Sequence, residues 1–265
     1  MKTGQVVVIT GASSGVGKAT AEFFRDRGHK VYGLARKDFA IDGIKTILCD
    51  VTKKDECENA IKKIIEIEGK IHLLINNAGF GISGSSENTN PQDAKRMFDV
   101  NFFGAVNMTQ AVLPFMRENG GGKIINTSSV ASIIPIPFQS FYSATKSSLD
   151  IWAKALRLEV RPFNIQVCNV LLGDTKTGFT AHREKSSLDK GSVYEEIAEK
   201  SVKKMEHDEQ NGKDPVTASK VMHKMFQKRK MPATKVVGFG YKTIVFLSKI
   251  LPQKFMLFIV RKLYC

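Results

Sequence analysis

From Pro215 to Cys265 the chain contains no Asp or Glu but 11 Lys or Arg, so this segment alone carries +11 of a formal net charge of +14. Within it, Tyr241 to Tyr264 is apolar yet lacks an uninterrupted run of about 20 apolar residues, the length a spanning helix requires. Pro252 breaks the stretch, and Lys242, Lys249, Lys254, Arg261 and Lys262 punctuate it. A membrane-spanning helix is excluded, and two short amphipathic helices are predicted instead. The four cysteines, Cys49, Cys57, Cys168 and Cys265, form no C-x-x-C pair and read as reduced core or surface thiols. His29, His72, His182, His207 and His223 show no metal-ligand spacing, so no metal is implied. The apolar run 5–10 is too short for a signal peptide, which makes the cytoplasm the expected location. No linker or repeat divides the chain. It is expected to form one catalytic domain over residues 1–240, followed by a basic tail over 241–265 that is not a separate domain.

What the chain does have is strand and helix in alternation. Strand candidates lie near 5–10, 30–35, 45–49, 71–75, 122–128, 164–171 and 235–238, with helical patterns between most of them. This predicts an α/β fold with a doubly wound parallel sheet of about seven strands, Rossmann-type, and helices on both faces. Its site should lie at the carboxyl ends of the strands. Between the second and third strands, Lys37 to Ile44 leaves room for a turn or two of helix. The longest helices are expected over Asp93 to Glu118 and Gln139 to Pro162.

The first strand runs directly into Gly11-Ala-Ser-Ser-Gly15-Val-Gly17 and then into a helical pattern from Lys18 to Gly28. Glycines allow positive φ and close backbone approach, and the free N–H groups of a helix start attract a phosphate anion. A nucleotide pyrophosphate is the expected occupant. Gly17-Lys18 brushes against the phosphate-transfer loop G-x-x-x-x-G-K-[ST], but Ala12 stands where its first glycine belongs and Ala19 where its magnesium-binding hydroxyl belongs. The dinucleotide pattern G-x-G-x-x-G also fits poorly, since Thr20 takes the last glycine position. The spacing present is T-G-x-x-x-G-x-G. Further along, Tyr142 and Lys146 are four residues apart and share a helix face. An ammonium beside a phenol should draw the phenol down from its ordinary pKa near about 10 toward a working range.

Taken together, these motifs resemble the short-chain dehydrogenase/reductase family, NADP-preferring type, over nearly all of residues 4 to 240. Thr10 to Gly17 looks like the family's cofactor loop, Asp50-Val51 like its adenine contact, and Asn76-Asn77-Ala78-Gly79 like its strand-end motif. Asn101, Ser129, Tyr142 and Lys146 match a catalytic tetrad, with Ser129 preferred to Ser128 because it lies 13 residues before the tyrosine. The resemblance implies cofactor contacts from Gly11, Ser13, Ser14, Gly15, Val16, Gly17, Asp50, Val51, Asn77, Ala78, Gly79, Tyr142, Lys146 and Thr177. One departure is Leu172-Gly173, where the family usually reads Pro-Gly. Loss of the fixed proline φ should loosen the loop that, by resemblance, holds the nicotinamide carboxamide.

At the end of the second strand, Ala35 occupies the position where NAD-preferring members place an aspartate, and Arg36 and Lys37 follow it. A cation there suits a 2′-phosphate, so NADP(H) is the expected cofactor. By resemblance, Tyr142 would exchange a proton with the substrate oxygen while Ser129 holds that oxygen. Lys146 would tune the tyrosine and hold the nicotinamide ribose, and Asn101 would position a water. The segment Gly178 to Gln210 reads as a lid. Phe138, Phe141, Phe179 and Leu188 hint at an apolar pocket for a small-molecule carbonyl or alcohol: a steroid, a retinoid or an acyl-glycerone phosphate. The competing class is a non-catalytic NADP-binding sensor or scaffold, which the intact tetrad argues against. For the tail, three roles stand open: capping the pocket, an interface in a homo-oligomer, or attachment to an anionic membrane surface. No nucleic-acid-binding module is recognised.

Overall fold

The computed structural model describes residues 3–178, 183–185 and 189–265. Seven parallel strands form one sheet: β1 (Val6–Thr10), β2 (Lys30–Ala35), β3 (Lys45–Leu48), β4 (Leu73–Asn76), β6 (Gly122–Ser129), β7 (Ile165–Leu172) and β9 (Thr234–Val236). Their order is β3-β2-β1-β4-β6-β7-β9. Two short segments missed in the sequence, β5 (Ile82–Ser83) and β8 (Glu184–Lys185), pair separately beside it. β1 is a β-branched run buried along its whole length, as a central strand covered on both faces must be.

The helices divide between the two faces according to the alternation of strand side chains. Val6 and Val8 point toward α2 (Lys54–Glu68), α4 (Gly104–Glu118) and α5 (Ser140–Glu159), meeting Ile61, Ile64, Met108, Val112 and Leu156. Val7 and Ile9 point the other way, toward α1 (Gly15–Arg25) and α7 (Pro215–Gln227), where Phe24, Met222 and Phe226 wait. Strand order reverses between β1 and β4, which opens a crevice at their carboxyl ends.

Three helical expectations need correction. Residues 37–44 form bends and a turn with no helix, because the short connection is spent returning the chain to the edge strand β3. The helix expected over Asp93 to Glu118 is α3 (Pro91–Phe98) followed by a π-helical turn, Asp99–Phe103, before α4. Such a turn inserts one extra residue into the spiral and re-aims its side chains, and here it carries Asn101 inward to 1 % exposure. Finally, α1 begins at Gly15, three residues before the expected start, so the glycine loop itself supplies the first turn.

Three asparagines in register, Asn76, Asn126 and Asn169, cross the buried sheet. Asn76 Nδ2 donates to Asn126 Oδ1 (2.9 Å), Asn126 Nδ2 to Asn169 Oδ1 (3.0 Å), and Asn169 Nδ2 to Asp150 Oδ1 of α5 (2.8 Å). This polar ladder locks α5 to the strands, since any slip would strand buried amides without partners. Past α6 (Glu195–Gln210) and α7, the chain ends in α8 (Phe239–Leu247) and α9 (Gln253–Tyr264), separated near Pro252 as expected. Among the described residues no helix is long and apolar enough to cross a membrane.

Candidate active site

The crevice holds a cavity of about 360 Å³ lined by the glycine loop, the ends of β2, β4, β6 and β7, and the start of α5. Its floor is built to admit a phosphate. Gly11 sits at φ +65° and Gly15 at φ +53°, a region glycine occupies without strain. A side chain at Gly17 would collide with the Gly11 carbonyl and lie 2.5 Å from Asn77 Nδ2, so Gly17 serves close helix packing. Ser14, at the N-cap of α1, makes no side-chain capping bond, and the first turn has no acidic residue. The helix N–H groups and their positive dipole end are therefore left uncapped by any side chain of the first turn. Thr10 Oγ1 accepts from the backbone N–H groups of Asn77 (2.9 Å) and Ala78 (3.0 Å), and Asn77 Nδ2 donates to the Thr10 carbonyl (3.0 Å). These bonds clamp β4 against the loop and fix the cradle's width. The residues present thus fit a dinucleotide.

Of the expected cofactor residues, Gly11, Ser13, Ser14, Gly15, Val16, Arg36, Asp50, Val51, Asn77, Ala78, Gly79, Tyr142, Lys146 and Thr177 all line the cavity. Gly17 and Lys37 do not, the first being buried beneath the loop and the second exposed beyond it. At the β2 end no carboxylate accompanies Ala35, and Arg36 is exposed at the rim. Gly104 lets α4 approach Val51, whose Cγ2 would be 2.6 Å from an added Cβ.

Ser129, Tyr142 and Lys146 converge at the inner end. Ser129 and Tyr142 both line the cavity, and Ser129 Oγ accepts from the Ala131 N–H at 3.1 Å. The neighbouring Ser128 hydroxyl is buried with no partner among the described residues. Lys146, 5 % exposed, lies with Nζ 5.7 Å from the centre of the Tyr142 ring and donates to the Thr127 carbonyl at 3.1 Å. The electrostatics differ from expectation. Burial pushes the Tyr142 phenol up to about 12, while Ser129 and Arg183 pull it down and Glu209 pushes it up. Burial also lowers Lys146 to about 8. Burial is the largest influence on both groups and sets the direction of each shift.

Asn101 touches the site from behind. Its Oδ1 accepts from the Phe80 N–H (2.9 Å), and its Nδ2 donates to the Phe80 carbonyl (2.9 Å) and Thr145 Oγ1 (3.1 Å). The side-chain amide is thus spent on joining the loop after β4 to α5, one residue from Lys146.

Two features escaped the sequence reading. Arg183, fully buried, ion-pairs with Glu209 of α6, and Glu209 lines the cavity near the tyrosine. The loop after β7, expected to be loosened by Leu172, is latched by the tail: the Tyr241 ring lies against Gly173, its hydroxyl donates to the Asp174 carboxylate, and it accepts from the Asp174 N–H (3.1 Å). No local signal announces a contact across 67 residues. The apolar wall near the tyrosine comes from Ile136, and half-buried Phe138 and Phe141 lie outside the lining. Phe179 and Leu188 lie outside the described residues.

Residues 5–187 match the family model described as short chain dehydrogenase. The chain is 40% identical over 263 residues to a 3-ketodihydrosphingosine reductase of Bacteroides thetaiotaomicron, covering 98% of each chain. It is 34% identical to an NADPH-dependent 1-acyldihydroxyacetone phosphate reductase of Schizosaccharomyces pombe, over 67% of this chain and 62% of that one. A solved short-chain dehydrogenase from Streptomyces avermitilis superposes with a TM-score of 0.83 at 28% identity, covering 94% of each chain. With the cradle, the serine–tyrosine–lysine cluster and the sheet order in place, the chain belongs to the short-chain dehydrogenase/reductase family of nicotinamide-dependent oxidoreductases.

Proposed function

We propose that this protein uses NADPH to reduce the carbonyl of a long-chain lipid ketone, with 3-ketodihydrosphingosine as the first candidate. The observation that carries the chemistry is Ser129, Tyr142 and Lys146 lining together a cavity that the glycine loop also lines. When bound, the cofactor supplies the hydride. Ser129 holds the substrate oxygen, and Tyr142 donates its hydroxyl proton to that oxygen. A phenol pushed up to about 12 keeps its proton at neutral pH, which suits a donor in the reductive direction. Lys146, lowered to about 8, still carries its proton at neutral pH and steadies the charge left on the tyrosine oxygen. Asn101 acts as a positioning residue by bracing α5 at Thr145.

NADP preference is supported by Arg36 on the rim with no carboxylate at Ala35. Replacing Arg36 by Ala should raise the KM for NADPH by at least ~10-fold, the cost of a charge-assisted contact, while NADH use stays nearly level. An equal effect on both cofactors would place Arg36 in the fold and not on the phosphate. The lipid substrate is supported by the relative that is 40% identical over almost the whole chain. The direct test is consumption of NADPH, followed by its absorbance, with 3-ketodihydrosphingosine, an acyldihydroxyacetone phosphate and short ketones. Turnover of the short ketones alone would refute the lipid assignment.

The tail belongs to this reading. Of the 17 large apolar side chains exposed among the described residues, nine lie between Phe239 and Leu263, interleaved with Lys242, Lys249, Lys254, Arg261 and Lys262. Cations around an apolar surface suit an anionic membrane, where a lipid substrate resides.

A further inference from the structure

A second cavity, of about 540 Å³, lies between the inner side of α9 and the segment running from the end of β6 into α5. Its volume is within the range of about 300–1,000 Å³ typical of small-molecule sites. Ile133, Pro135 and Ala144 form one wall, and Leu257 and Val260 of α9 form the other. Ile136 lines this groove and the catalytic cavity alike, so the two spaces are one side chain apart. Ser143 and Ser132 border it with their hydroxyls buried away from the open space, so neither presents its oxygen to the groove, and Arg261 and Cys265 border it as well.

We infer that this groove is a binding site for the aliphatic chain of the substrate, entered past Ile136 and running between Ile133 and Pro135 on one side and Leu257 and Val260 on the other. The inference rests on the proposed lipid-ketone activity and adds where the chain goes. The occupant is the substrate's own chain and not a bilayer phospholipid, because the groove adjoins the catalytic cavity directly through Ile136, whereas Phe255 and Phe258, at 50 % and 53 % exposure, sit on the solvent side of α9. One helix would then serve two apolar environments, bilayer outside and substrate inside.

The test uses the full chain and has a readout independent of turnover. A fluorescent polyene fatty acid should bind the protein in the absence of vesicles and be displaced by the long-chain ketone. Two variants fill the groove from opposite walls: Ala144→Phe from α5 and Val260→Trp from α9. Ala144 is exposed, so its variant is expected to fold even if repacking at buried Val260 does not succeed. Each folded variant should weaken probe binding at least ~10-fold, the effect of losing a few buried methylenes. The ratio of kcat/KM for long over short ketones should fall by a similar factor. Probe binding that is weakened while no ketone is reduced would retain the groove and remove the proposed activity. Long ketones preferred equally by wild type and folded Ala144→Phe would retain the activity and overturn the groove. Displacement of the probe by phospholipid but not by the long ketone would overturn it as well.

Discussion

Tyr142 lies inside the catalytic cavity and Tyr241 outside its lining, against Gly173 and Asp174, and the two invite opposite expectations. Tyr142→Phe keeps the ring and deletes the proton donor, so reductive turnover should drop by at least ~100-fold, within the span of general acid catalysis. Cofactor affinity should largely persist. A Phe variant with near wild-type turnover would remove Tyr142 from the chemistry. Tyr241→Phe leaves the ring against Gly173 but removes both bonds to Asp174. If that latch stands in for the missing proline, the KM for NADPH should rise by about 5-fold, roughly the worth of one net hydrogen bond, with kcat less affected. An unchanged KM would mean that the loop is held by its other neighbour, the turn at Gly212-Lys213, where Lys213 N donates to the Asp174 carbonyl (3.0 Å) and Lys176 N to the Lys213 carbonyl (2.9 Å).

Between α1 and α7, on the face away from Tyr142, His29 and His223 bring their Nε2 atoms to 3.4 Å amid Phe23, Phe24 and Phe226. Burial lowers both below their ordinary value of 6.5, and Arg27 adds to the effect. Because the folded values are depressed, this contact contributes its full stability above about pH 6.5 and loses it as the pH falls through the folded values. The loss can reach about 1.4 kcal/mol per pH unit for each histidine. Thermal melts of wild type should therefore fall between about pH 6.5 and 5 more steeply than melts of His223→Leu. Parallel curves would show that the pair does not titrate in this way. This contact also marks what the sequence could convey. Strands such as β1 and β7 were legible because apolar β-branched runs bounded by turns have few alternatives, and the motif spacing located Tyr142 and Lys146 on α5. The π turn at Asp99–Phe103 was not, since its residues keep the helical pattern and only packing reveals the extra residue. The asparagine ladder and the Arg183–Glu209 pair were equally silent, because buried polar residues are explained only by partners far along the chain. The phenol's rise misled for the same reason: the i, i+4 spacing gave the ammonium, but burial, which decided the sign, comes from the whole cavity.

Considered whole, the molecule is lopsided: an ordinary α/β body bears a terminal pair of helices rich in exposed phenylalanine and lysine. Deleting the tail outright would confuse two roles, because Tyr241 of α8 holds the loop after β7. The cleaner change is Phe255→Ser with Phe258→Ser, both on exposed positions of α9 and neither lining a cavity. Intact protein should float with vesicles containing anionic lipid at low salt. It should bind neutral vesicles less, and should release as salt rises, since surface attraction is screened within about 10 Å at 0.1 M. The double serine variant should stay in the soluble fraction while its melt remains close to wild type, because exposed side chains contribute little to the fold. Burial of a phenylalanine is worth about 1.5–3 kcal/mol, so losing two is enough to abolish a weak peripheral attachment. Intact protein absent from the anionic vesicles at low salt would refute membrane docking. Variant protein that floats as well as wild type would assign the attachment to charge alone, and reversing Lys254 and Lys262 to Glu should then release it.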